Sequence, residues 1–371
     1  MRKFAFMIAY YGASAVYQGY MGLFYGDIDL NRVQIGVVNA SAAVSAMLAQ
    51  PLWGWIGDRM HRRRRLLCMV GAVSALLLPA ALIKNSLWFQ IAAAAAFYAF
   101  FSALLPLGDA VVLSSDVKSV YGKIRLAGGI SYAVFSLTGG WLVGKLSVKY
   151  ALWTVSILLA AAAVSALFLP EGNEKRQKGR LIAALKDKNL RSLLLFMLPA
   201  QISMGFYYSF FALYFMQLPN AGHFMLGAAN LIASVAEIPY LLFSDKIYRK
   251  FGPGKTMLAA AAVLSVRFLL LGLGKNIWIA LFSQVFNGFG YIAVAVSMAK
   301  YVSERLPDNA AGGQTLISLM FYGAARLTGS LLGGFAAEKT SIAAVFAMAA
   351  ALCAAGFACF FAYAARRRMR I

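Results

Sequence analysis

Residues 50–65 read Gln50-Pro51-Leu52-Trp53-Gly54-Trp55-Ile56-Gly57-Asp58-Arg59-Met60-His61-Arg62-Arg63-Arg64-Arg65. A mostly apolar stretch over 33–57 runs into this segment and stops at Asp58-Arg59. Four consecutive arginines follow before the next apolar stretch opens near residue 66. One bilayer crossing needs about 20 apolar residues, and charges gather where a crossing ends. The segment therefore reads as the exit of one membrane-spanning helix and the entry of the next.

Working outward, the same grammar repeats. Apolar windows fall near 4–26, 33–57, 66–84, 87–115, 121–145 and 150–169, then near 190–217, 222–245, 255–273, 276–303, 311–337 and 341–365. The basic residues favour alternate connections. Of the 35 Lys and Arg, 26 lie at the N-terminus, 58–65, 116–123, 171–191, 245–255, 300–308 and 366–370. The opposite connections hold only Arg32, Lys84, Lys145, Lys149, Lys275 and Lys339. The basic side of a membrane protein is normally cytoplasmic. An even number of crossings follows, with both termini inside and no cleaved leader between Met1-Arg2-Lys3 and the first span.

Composition narrows the function classes. The chain is 61% hydrophobic and 13% charged, more apolar than a soluble domain of 371 residues requires. Its net charge of +22 sits at helix ends, which points to anionic lipid headgroups and away from nucleic acid. Cys68, Cys353 and Cys359 lie in apolar segments without metal or redox spacing. Five of the spans contain Pro51, Pro79, Pro106, Pro199 and Pro239, which bend helices and are tolerated among neighbours that re-satisfy the backbone.

The two halves echo each other. Gly54-x-x-x-Asp58-Arg59 ends the second span and Ser244-Asp245-Lys246 ends the eighth. Leu137-Thr138-Gly139-x-x-Leu142-x-Gly144 returns as Leu327-Thr328-Gly329-x-x-Leu332-x-Gly334. Two unrelated landmarks at nearly one offset mark an internal repeat. The expected architecture is all-α: residues 1–170 as one six-helix bundle, 171–190 as a basic cytoplasmic linker, and 191–371 as a second bundle. Six plus six is the plan of transporters that work by alternating access.

Gln50 to Arg64 resembles the loop signature of the major facilitator superfamily, with His61 where a Gly is usual. Pro106-Leu107-Gly108-Asp109, followed by Tyr121-Gly122-Lys123-Ile124-Arg125-Leu126-x-Gly128, is similar to the branch of lactose permease, nucleoside–proton symporters and phenylpropionate permeases. Leu264-Ser265-Val266-Arg267 and Ala299-Lys300-Tyr301-Val302 add to that resemblance. The likeness implies a major facilitator fold and proton-driven solute movement. It also implies a gating role for Gly54, Asp58 and Arg59, with Gly54 letting helices approach, and a ring for stacking substrate at Tyr132. Departures matter as well. Where lactose permease carries a His and a Glu, the matching positions are Asn287 and Gly290, neither of which carries a proton. Thr138 before Gly139-Gly140 departs from the antiporter pattern and tilts the reading toward uptake.

A charge at the bilayer centre costs roughly 3 kcal/mol on insertion scales, so each deep one asks for a reason. Asp109 and Arg125 flank a short turn on consecutive helices and can meet at one depth. They are candidates for proton linkage and substrate binding, or for a structural ion pair. Glu237 and Arg267 form a second such pair, either a coupling pair with Glu237 as proton carrier or a clasp. Arg326 lies deep in the eleventh span, available to an anionic substrate or to a partner such as Glu237. Gln18, Tyr17, Tyr207 and Asn287 complete the candidate lining, because amides at lipid depth need partners.

The expected function is secondary active transport of a small organic solute (sugar, nucleoside or aromatic or organic acid) through the bacterial plasma membrane. Proton-coupled import by a monomer is the leading form, without cofactor or metal. Efflux is the alternative, and a non-transporting sensor or scaffold is the alternative from another class. An enzyme needs a polar catalytic cluster, and His61 and His223 are the only histidines, in separate connections, with no nucleophile–base or metal spacing. No Walker sequence is present to drive transport with ATP.

Overall fold

The computed structural model describes residues 2–60, 63–113, 121–169 and 181–366. His61, Arg62 and residues 171–180 of the expected linker lie outside the described residues, as does the side chain of Asp58. Among the described residues there is no strand. The helices are α1 (Arg2–Asp27), α2 (Arg32–Arg59), α3 (Arg63–Leu77), α4 (Leu87–Leu113), α5 (Tyr121–Lys145) and α6 (Lys149–Leu167). After them come α7 (Leu181–Lys186), α8 (Lys188–Met216), α9 (His223–Val235), α10 (Glu237–Leu273) and α11 (Ile277–Ser283). The last four are α12 (Ala293–Arg305), α13 (Ala310–Ile317), α14 (Arg326–Lys339) and α15 (Ile342–Arg366).

Local chemistry sets the boundaries. Asn31 starts α2 as a capping box: its side chain accepts from Gln34 N at 2.9 Å, and the Gln34 side chain accepts from Asn31 N at 3.0 Å. Asp187 caps α8 through Leu190 N at 2.6 Å. Within α10, Gly252 adopts φ 75°, a left-handed backbone that Gly accepts readily, and Pro253 restarts the helix. That break divides a 51-residue apolar stretch, His223–Leu273, which is far longer than one crossing needs. Ten stretches among the described residues are long and apolar enough to cross a membrane. With the division at Gly252 and the tyrosine-rich α1 counted, the architecture is consistent with twelve crossings.

Contacts divide the chain into two compact units. One comprises Met1–Arg176 with Ala221–Leu231, the other Gln177–Asn220 with Ile232–Ile371. The internal repeat reappears as a repeated packing scheme. In the first unit α1 packs on α5 and α6, and in the second α8 packs on α14 and α15. The recurring Leu-Thr-Gly landmark serves these contacts. A Cβ on Gly139 would lie 3.0 Å from the Tyr20 ring of α1, and one on Gly329 would run into the Ile202 carbonyl and lie 2.8 Å from Phe206 N of α8. Small residues allow such backbone approach in membranes.

One detail departs from an even six-plus-six division. The first turns of α9 cluster with the first unit, where Gly227 packs against the Ser136 carbonyl and the Tyr20 hydroxyl. Large apolar side chains such as Leu76, Trp88 and Leu242 are exposed, as expected where the surrounding solvent is lipid.

Candidate functional site

Each unit carries its own cluster of polar groups at membrane depth. In the second unit the cluster is built from a helix break outward. Pro239 has no N–H, and its ring crowds the carbonyl four residues earlier, so the helix of the eighth span is interrupted between Val235 and Glu237. Glu237 therefore stands at the first position of α10. Against this break lies a π-helical segment, Gly288–Ile292, whose first residue must be Gly because a Cβ there would run into the Ala236 carbonyl. The residues just before it, Gln284–Asn287, form a 3-10 turn. Such irregular backbone in a membrane helix marks functional sites often enough to direct attention here.

Arg267, from the later part of α10, is completely buried. Its Nη1 donates to Asn287 Oδ1 at 2.6 Å and its Nη2 to Gln284 Oε1 at 2.8 Å. Its guanidinium lies 4.3 Å from the Tyr207 ring centroid, and the Tyr207 hydroxyl donates to the same Gln284 oxygen at 2.7 Å. Asn287 Nδ2 in turn donates to Glu237 Oε1 at 2.8 Å. The expected Glu237–Arg267 pair is thus not a direct ion pair. A neutral amide stands between the two charges, because Asn287 projects from the turn that separates them.

Arg326 does not pair with Glu237 either. Its guanidinium sits 4.4 Å from the centroid of the Tyr208 ring, a cation–π contact. Tyr208 meets Tyr291 edge-on at 6.0 Å. Tyr291 and Tyr322 escaped the sequence reading. One signal was available: Tyr322 precedes Arg326 by four residues and so shares a helix face with it. The intervening segment, Ser318–Ala325, is π-helical, which periodicity does not reveal.

The first unit arranges its charges more openly. Arg125 Nη1 lies 3.1 Å from Asp109 Oδ2 and 3.4 Å from Oδ1, with 40% and 24% of the two side chains exposed. The Tyr11 ring lies 5.7 Å from this guanidinium, and Gly128 makes room for that ring. Tyr17 is buried and stacked on Phe97 at 5.0 Å, with Phe101 and Tyr98 completing an aromatic cluster. Gln18 is exposed, so it contributes no buried amide. Tyr132 is half-buried on α5.

Of the three gating candidates, Gly54 and Arg59 are described, and the Asp58 side chain lies outside the described residues. Arg59 lies over the Trp55 ring at 3.7 Å. A Cβ on Gly54 would meet nothing within 4 Å. Its counterpart in the second unit is a clasp: Lys300 Nζ donates to Asp245 Oδ1 at 2.6 Å and to Ser244 Oγ at 3.1 Å. Among the described residues no group of His, Cys, Asp or Glu could hold a metal ion.

Comparison with known proteins adds an independent line. The MFS_1 like family matches residues 2–348. Maltose permease of Geobacillus stearothermophilus is 26% identical over 332 residues, covering 86% of this chain and 83% of that protein. The probable 3-phenylpropionic acid transporter of Escherichia coli K12 is 23% identical over 345 residues, 88% of each chain. The crystal structure of the nucleoside transporter NupG shares the fold with a TM-score of 0.84 at 14% identity, covering 97% of this chain and 98% of that one.

Proposed function

The chain belongs to the MFS_1 like family, a multi-pass membrane transporter of small solutes and not an enzyme, and from that premise we propose proton-coupled import of a small organic solute by alternating access. The observation that carries the proposal is the hydrogen-bonded chain Glu237–Asn287–Arg267–Gln284–Tyr207, buried except at the half-buried Glu237. A carboxylate and a guanidinium placed at membrane depth are costly and mark ion or substrate pathways. Arg125, Tyr132 and Arg326 supply cation and ring to a substrate such as a sugar, nucleoside or aromatic acid. Asp109 and Glu237 are the proton candidates. Asp58 and Arg59 serve the cytoplasmic gate, with both termini on that side because the basic connections lie there.

The test is uptake of labelled maltose, uridine and 3-phenylpropionate into vesicles under an imposed pH gradient. Accumulation should follow the gradient and fall in Asp109→Asn and Glu237→Gln. Uptake that ignores the gradient and survives both substitutions together ends the proton-coupled reading.

A further inference from the structure

Glu237 is bonded on one side only. Asn287 Nδ2 donates to Oε1 at 2.8 Å, while Oε2 accepts no hydrogen bond from any described residue. The orientation of the Asn287 amide is forced by its neighbours. A guanidinium only donates and an ionised carboxylate only accepts, so the amide oxygen must face Arg267 and its NH₂ must face Glu237.

We propose that Asn287 is the positioning residue that keeps Glu237 a proton acceptor: it holds Oε1, occupies the guanidinium with its own oxygen, and so leaves Oε2 to bind the transported proton. The inference rests on the proton-coupled reading above and deepens it, since it assigns the proton to one oxygen of one carboxylate. A buried carboxylate closed directly onto a guanidinium stays ionised, because the opposite charge favours the charged form. The inserted amide prevents that closure. Arg267 meanwhile gives its two terminal nitrogens to amide oxygens and lies on the Tyr207 ring, while its buried Nε has no hydrogen-bond partner among the described residues. Protonation at Oε2 leaves the Asn287–Oε1 bond in place, because a carboxylic acid retains an acceptor oxygen. No partner has to move when the proton arrives or leaves.

The surroundings fit that role. Arg267 is the cation whose charge acts on Glu237, and it acts from beyond the amide. From the π segment of the eleventh span, Tyr322 is within electrostatic reach of Glu237, and beyond it Tyr208 touches both Tyr291 and Arg326. The Ala233 carbonyl of α9 lies 3.5 Å from Asn287 Nδ2 and adds no charge.

The experiment uses protons as the only probe. Purified protein in lipid vesicles is titrated with pH while infrared difference spectra follow the C=O stretch of protonated carboxyl groups. The expected titrating band is lost in Glu237→Gln and kept in Asp109→Asn. In Asn287→Asp, two carboxylates share one guanidinium, and the midpoint rises by about one pH unit or more. In Asn287→Ala, the carboxylate closes onto Arg267 and the midpoint falls. Should one Asn287 variant fail to fold, the other still decides. A band that persists in Glu237→Gln, an unmoved midpoint in a folded Asn287 variant, or an upward shift in Asn287→Ala overturns the proposal. The outcome is separable from the transport reading: a Glu237 band that behaves as stated, alongside uptake that ignores a pH gradient, removes proton coupling and leaves the site intact.

Discussion

The first unit keeps Arg125 in direct contact with Asp109 at 3.1 Å, with both side chains partly exposed, whereas the second buries Arg267 fully and gives it amide oxygens in place of a carboxylate. Both units derive from one helical plan, yet they solve the problem of a charge at depth in opposite ways. A partly exposed ion pair costs less to open than a fully buried one. A buried guanidinium whose two terminal nitrogens hold amide oxygens is costly to disturb, because removing it strands the groups around it. The comparison sets a partly exposed ion pair against a fully buried guanidinium held by amides.

The largest expected effect tests that contrast. Arg267→Met should destabilise the protein by about 2–4 kcal/mol, since Asn287 Oδ1 loses its donor and Gln284 Oε1 keeps only the Tyr207 hydroxyl. Thermal unfolding in detergent reads this directly. Arg125→Gln in the same assay should cost no more than about 1 kcal/mol. Equal losses in the two variants would break the contrast.

The repeat offers a second comparison. Gly329 packs backbone to backbone against α8, and Gly139 packs mainly against side chains of Tyr20 and Val16. Gly329→Val should therefore cost about 1–3 kcal/mol through overpacking that backbone cannot relieve. Gly139→Ala should cost less than about 1 kcal/mol, because a ring edge shifts more readily than a carbonyl. Unfolding midpoints of the two variants measure the difference, and a reversed order would show that the repeat hides unequal rigidity elsewhere.

These contrasts mark how far the sequence could be read. Alternating basic connections and apolar windows revealed the class, and the Leu-Thr-Gly recurrence revealed the repeat, because both follow from the bilayer and from helix packing alone. Asp109 and Arg125 were legible as partners since only fifteen residues of sequence separate them, at the end of one apolar window and the start of the next. Glu237 and Arg267 looked like the same kind of pair, but their geometry depends on a third residue, Asn287, brought in from another span. No periodicity encodes that placement. The π segments beside Glu237 and before Arg326 were equally silent, because the backbone hydrogen-bond register leaves no residue signature.

Ligand binding sharpens the comparison further. A thermal-shift screen against maltose, uridine and 3-phenylpropionate should identify a ligand whose stabilisation is lost in Arg125→Gln, a loss of about 2.7 kcal/mol at a concentration 100 times the Kd. Stabilisation that survives Arg125→Gln and disappears in Arg326→Gln would move substrate recognition into the second unit, beside the tyrosine cluster.

The smallest expected effect concerns Gly54. A Cβ there meets nothing within 4 Å, so Gly54→Ala should change stability by less than about 0.5 kcal/mol. Unfolding and uptake measured together make this variant informative despite its small cost. If stability and uptake are both unchanged, the glycine of the loop signature has no packing role, and the gate reduces to Asp58 and Arg59. If stability is unchanged but uptake is lost, the close approach implied by the glycine belongs to another step of the transport cycle. A conformation populated only during turnover places no strain on the resting protein, so a kinetic loss without a thermodynamic one is the signature of such a step.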